Sequence, residues 1–308
     1  MRPRLRLIAL LCVVVILTSC GGPKREPTST AAGSFVALAP DVYEPCGLQR
    51  AGNAVWVLGC SGALVRVPSG SSRGAKVSGD IAALDGLAGG EVDTAWALLA
   101  TGEGKERRGS LARIDPDSGA TLTTVSLGDA IPVDAVVAGT TLWVASSAGA
   151  LYAIDGGTAR RAAVGPPLMR VLTDGERLWT VAENGDVVER DAAGKPARTF
   201  AGVMPNAIGA AAGLGRLWLA SAGRGLVRLD PATGNVDRVD VTGTVNAIEP
   251  CGGAIWISQP DTGLRVLDAD GRVTRSIPLE VAPHYLACLT DRVVVVSEDG
   301  RIGSFATT

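Results

Sequence analysis

Histidine is almost missing: His284 stands alone in 308 residues. Any Ser-His-Asp or Cys-His device would have to be built on that one side chain. No Cys-x-x-Cys pair occurs among the six cysteines, so zinc finds none of the closely spaced thiolate and imidazole ligands it takes. No Gly-x-Ser-x-Gly sits at a strand-to-helix turn, where a hydrolase nucleophile would be. Basic charge is not in excess. Arg2, Arg4 and Arg6 account for three of the 29 Lys and Arg, leaving 26 against 31 Asp and Glu, a balance of −5. That is the wrong sign for holding a phosphate backbone. Past residue 20 no apolar run approaches the roughly 20 residues of a spanning helix, and no stretch carries a convincing 3.6-residue stripe. Nucleic-acid binding, an all-helical fold and His-rich metal chemistry are set aside on these grounds.

The one apolar run lies at the start. Three arginines precede Leu7–Leu17, and Leu17-Thr18-Ser19-Cys20 closes it. Charge and length suit a signal peptide. The closing residues resemble the lipobox of bacterial lipoproteins, which implies lipidation of Cys20 and a mature chain beginning there. Residues 21–33 read as a flexible tether, and residues 34–308 as a single folded domain. The expected location is extracytoplasmic, anchored by lipid to the bacterial cell membrane.

That domain repeats. The only six tryptophans, Trp56, Trp96, Trp143, Trp179, Trp218 and Trp256, are spaced by 40, 47, 36, 39 and 38 residues. A seventh copy, Arg292-Val293-Val294-Val295-Val296-Ser297, matches Arg216-Leu217-Trp218-Leu219-Ala220-Ser221 with Val294 in the tryptophan place. Twelve residues after four of the tryptophans come Asp155, Asp191, Asp230 and Asp268, each opening a glycine-bearing turn. Asp at the first position caps backbone N–H groups and Gly takes positive φ. Asp115 opens the same turn 19 residues after Trp96, so seven extra residues separate those strands. Copy six reads as strands Val245–Glu249, Ala254–Ser258, Gly263–Leu267 and Val273–Pro278, here named a to d. Four short strands per roughly 40 residues make a propeller blade. The tryptophan on strand b is read as a filler between blades rather than a ligand-stacking group. The last copy ends after a strand c at Arg301–Phe305, and a strand at Ser34–Leu38 has no blade of its own. The expected fold is all-β: a seven-bladed propeller whose last blade the N-terminal strand completes, leaving no large open edge.

Leu142-Trp143-Val144-Ala145, Leu217-Trp218-Leu219-Ala220 and Leu229-Asp230-Pro231-Ala232-Thr233-Gly234 resemble repeats of bacterial virginiamycin B lyase-like, YncE-like and PQQ-repeat propellers. The resemblance covers nearly the whole mature chain and speaks to fold more than activity. The lyase-like enzymes depend on histidine and acidic residues near a metal, which a single histidine makes hard to reproduce. PQQ-dependent oxidation would need calcium and base residues, and none can be placed. Asp268-Ala269-Asp270-Gly271 begins like a calcium loop but lacks the later ligands. No cofactor and no metal are expected.

Cys46, Cys60, Cys251 and Cys288 remain in the mature chain, an even number suited to disulfides outside the cytoplasm. Cys46–Cys60 and Cys251–Cys288 is the favoured pairing, with Cys46–Cys288 as its rival. In a propeller the starts of the a strands and the b–c loops share one mouth of the central channel. Around that mouth the sequence offers Tyr43, Glu44, Asp80, Asp134, Arg170, Asn206, Asn246, His284 and Tyr285, either as solvated loop ends or as a pocket for a polar ligand. The extra residues of copy two fall within Gly102–Gly109 and make a charged loop on the same side. The function read from all this is a monomeric, non-enzymatic binding or scaffold protein for a protein, an envelope component or a small polar ligand. A lyase or lactonase-like enzyme at the channel mouth is the alternative.

Overall fold

A computed structural model describes residues 35–37, 44–60, 62–69, 71, 75–78, 84–88, 95–115 and 118–307, with backbone alone at 75–78 and 84–86. Cys20, the tether, Tyr43 and Asp80 lie outside the described residues. Seven antiparallel four-stranded sheets form the ring. Their a strands are Pro45–Ala51, Leu84–Ala88, Pro132–Ala138, Leu168–Thr173, Gly209–Gly213, Ala247–Cys251 and Pro283–Leu289. Each a strand packs beside the a strand of the next blade, and the seventh packs beside the first, so the ring is closed. No helix among the described residues is long and apolar enough to cross a membrane.

Strand b carries the core. Ala54–Gly59, Leu178–Ala182 and the valines of Arg292–Ser297 are buried on both faces, because each sheet is covered by a blade on either side. Such strands read as continuous apolar runs rather than alternating ones. Trp56, Trp179, Trp218 and Trp256 are no more than 1 % exposed and Trp143 is 5 % exposed. In these five blades the indole fills the gap to the next blade, as the sequence implied. Trp96 departs from the rule: it is only partly buried. Glycine is required where the c–d turn of blade four lies on Trp143. Gly194 has φ +81°, and a Cβ there would sit 2.6 Å from the ring.

Strand boundaries shift where the ladder and the apolar pattern disagree. Strand a of blade six is Ala247–Cys251, two residues later than the sequence suggested, because Val245 is buried without joining the ladder. The extra residues of blade two mostly lengthen strands. Ala100 and Thr101 pair with Gly109 and Arg108, and the loop between holds one 3-10 turn, Gly104–Glu106.

Blade seven is closed by the N-terminal strand. Val36 pairs with Ile302 and Ala37 with Arg301. Phe35 packs on Phe305 at 6.0 Å between centroids and lies over Gly303, which has no side chain to displace it. A chain beginning after residue 37 should melt several degrees lower and self-associate, since it bares the Arg301–Ala306 edge. Thermal melts with size-exclusion chromatography would test this, and an unchanged monomer would dismiss the clasp as a stabilising feature.

Candidate functional site

The a strands set the geometry of the channel mouth. Five of the seven carry a register shift at the same place, between Pro45/Gly47, Leu84/Gly86, Pro132/Asp134, Leu168/Arg170 and Pro283/Tyr285. A bulge of this kind re-aims the residues around it. Immediately after it, at one matched level of the ring, stand Gly47, Gly86, Asp134, Arg170, Gly209, Ala247 and Tyr285. Four are Gly or Ala. The bulk and charge of this level therefore sit on blades three, four and seven.

Asp134 and Arg170 each reach the next blade. The Val171 N–H donates to Asp134 Oδ2 at 2.9 Å, and Arg170 Nη2 donates to the Ile208 carbonyl oxygen. Arg170 Nη1 also donates to the Met169 carbonyl. Burial raises the Asp134 pKa, while the Arg170 charge and the Val171 and Ala135 N–H groups pull it back. Burial likewise raises the pKa of Tyr285, opposed by the charge of Arg170. One guanidinium thus acts on an acid in blade three and a phenol in blade seven, across the ring.

A second group lies two residues further along the strands. Glu249 pairs with Trp256 in its own sheet, and its Oε1 accepts the Cys288 N–H at 2.9 Å. Burial pushes its pKa up to about 7, against the pull of the Cys288 N–H and the charge of Arg50. Arg50 Nε is held by the Gly52 carbonyl at 3.0 Å. The same backbone N–H belongs to a disulfide: Cys251 joins Cys288, and Cys46 joins Cys60, with Cα separations of 5.4 and 5.0 Å. This is the favoured pairing, and both bonds lie near the closure of the ring.

The residues expected around the mouth therefore divide. Asp134 and Arg170 come together on adjoining blades, and Tyr285 stands at the same level on blade seven, where the charge of Arg170 still acts on it. His284 is the bulge residue itself; its ring lies 4.5 Å from that of Tyr285, and it lines a separate cleft of about 710 Å³ with Glu44, Glu280, Glu298 and Arg301. Asn206 is exposed on the connection before strand a of blade five, at φ +55°. Asn246 precedes strand a of blade six and donates its N–H to the Ser258 carbonyl. Glu249 and Arg50 were not anticipated. Among the described residues no group of three or more His, Cys, Asp or Glu is arranged to hold a metal ion.

No family model and no curated protein matches the sequence. Solved structures do match in fold. Virginiamycin B lyase from Staphylococcus aureus superposes with a TM-score of 0.71 at 15 % identity, covering 89 % of this chain and 98 % of the other. BamB from Moraxella catarrhalis gives 0.60 at 15 % identity, covering 89 % and 98 %. YCF48, solved bound to a D1 peptide, gives 0.67 at 12 % identity, covering 89 % and 97 %. At these identities the likeness is one of fold.

Proposed function

We propose that this protein is a lipid-anchored, extracytoplasmic propeller that works as a monomer and holds a protein partner at its channel mouth. The observation that carries the reading is the one-sided level of Asp134, Arg170 and Tyr285 among glycines and an alanine. A guanidinium fixed by two backbone carbonyls is prepaid in conformational entropy, and the small residues opposite leave room for a partner's side chain. Asp134 beside it rewards a polar, charge-matched surface over an apolar one. Two disulfides suit an oxidising compartment, and the lipobox supplies the anchor. The solved propeller with a peptide bound lends the partner class by analogy.

Asp134→Asn with Arg170→Gln removes both charges while leaving hydrogen-bonding groups in place. In-cell crosslinking of the full lipoprotein should then recover the partner at least ten-fold less, with the thermal transition retained. Undiminished recovery would move the partner away from the mouth.

The enzyme reading keeps one observation in its favour, the Glu249 carboxyl with its pKa near 7, a value suited to proton transfer. Asp134→Ala, Asn206→Ala and His284→Ala separate the two. Loss of the cellular role with the partner still captured would favour an enzyme at the mouth.

A further inference from the structure

Trp96 opens on a cleft of about 390 Å³ between blades two and three, at the end of the ring away from the channel mouth. Over Trp143 and Trp218 the c–d turn of the following blade covers the indole. Gly194 of blade four lies on Trp143, and Gly271 of blade six lies near Trp218, where a Cβ would be 3.7 Å from the ring. In two blades an arginine in the tryptophan's own cross-strand row ties that turn down. The row Trp179, Glu189, Arg198 sends Arg198 Nη1 to the Pro231 and Ala232 carbonyls at 2.7 and 3.0 Å. The row Trp218, Arg228, Asp237 sends Arg228 Nη1 to the Ala269 carbonyl at 2.7 Å.

Blade two has the same row: Trp96, Arg113, Thr123. The turn that should meet it is Asp155-Gly156-Gly157-Thr158, four residues between the paired Ile154 and Ala159. Blades four and six use the five residues 191–195 and 268–272 between the corresponding pairs. The shorter turn stops early; a Cβ on Gly157 would meet only the Thr123 methyl, at 3.6 Å. Arg113 is exposed, lines the cleft, and has no hydrogen bond or ion pair among the described residues. An indole and a guanidinium are thus set out as in blades four and five, and the turn that faces them stops short of covering them.

We infer that this socket receives a turn-forming peptide segment of another protein, with a glycine over the Trp96 indole and its backbone carbonyls accepting from Arg113. The molecule itself specifies the occupant, because the equivalent surroundings of Trp143, Trp179 and Trp218 hold Asp-led turns that carry a glycine, at 191–194, 230–234 and 268–271. The cleft, of a size usual for ligand sites, also counts Thr123 and Thr140 among its lining residues. The site is independent of the channel mouth.

The test uses the folded protein with 15N-labelled indoles and a cyclised peptide bearing Asp-Ala-Ala-Gly-Lys, the sequence of residues 191–195. The Trp96 signal is assigned by its loss in Trp96→Phe. It should shift saturably at millimolar peptide while the other five stay in place, and Arg113→Ala should weaken the response at least ten-fold. Replacing residues 155–158 by the same five-residue turn should shift the Trp96 signal without peptide and abolish the response to it. Unchanged positions of the other five signals verify the fold of each variant. No shift at about 10 mM peptide, weaker than any specific contact of this size warrants, would overturn the inference. So would a response that survives the turn replacement. A shift with N-acetylglucosamine and none with the peptide would make the socket a glycan site instead.

Discussion

Replacing Cys251 and Cys288 together by serine is expected to lower the melting temperature by roughly 8–15 °C. The two residues are 37 apart in sequence, and chain-entropy arguments assign a loop of that length about 4 kcal/mol. The bond joins the a strands of blades six and seven, so its loss also loosens the backbone N–H of Cys288 that Glu249 holds. Reductant should reproduce much of the effect on the parent protein and add little to the double serine variant. The Cys46–Cys60 bond spans 14 residues within a single hairpin, where the ladder already restrains both ends, and its loss should matter less. Calorimetry on the two double variants would settle the order. A Cys251/Cys288 double variant melting within 2 °C of the parent, a tolerance set roughly by how a sub-kilocalorie change reads out, would show that the bond contributes nothing.

Glu249→Gln should stabilise the protein at pH 8 and leave it nearly unchanged at pH 4. The folded carboxyl titrates at about 7 against an ordinary 4.5. A raised carboxyl pKa means the folded state holds a proton the unfolded chain has released. Stability is therefore undiminished below pH 4.5, falls as pH rises through the interval to 7, and stays reduced above it. A shift of that size corresponds to about 3 kcal/mol, or roughly 5–10 °C in melting temperature. Glutamine keeps an oxygen for the Cys288 N–H and has no charge to bury. Asp134 shifts in the same direction and so contributes to the parent's pH curve. The difference between parent and variant isolates Glu249, and a difference that does not vary with pH would refute the assignment.

The features legible in the sequence were those encoded locally and repeated. Tryptophan spacing, the Asp-led turns twelve residues on, and the orphan strand near residue 36 together define seven blades and their closure. Val294 could be placed in the tryptophan position because the residues around it repeat. Glu249 could not be found in this way. Its surroundings arise only in the folded ring, where Cys288 and Arg50 reach it from far along the chain, and nothing beside it announces an unusual carboxyl. The polar residues at the a-strand starts were legible as a set but not as groups, because the bulge sends His284 and Tyr285 to different surroundings. The exposure of Trp96 did leave a signal. Asp155-Gly156-Gly157-Thr158 is shorter than its counterparts, but turn length in one blade had to be connected with burial in the blade before it.

The pairing of Val36 and Ala37 with Ile302 and Arg301 has a consequence for the order of events during biosynthesis. Those partners lie more than 260 positions apart, and a contact so distant in sequence carries the largest closure entropy in the chain. Blades one to six can each assemble from consecutive hairpins, while blade seven waits for the first strand to find the last. The emerging chain thus passes through a stage with a nearly complete ring whose last blade still lacks its outer strand. A chaperone acting at that stage would need to shield only one strand.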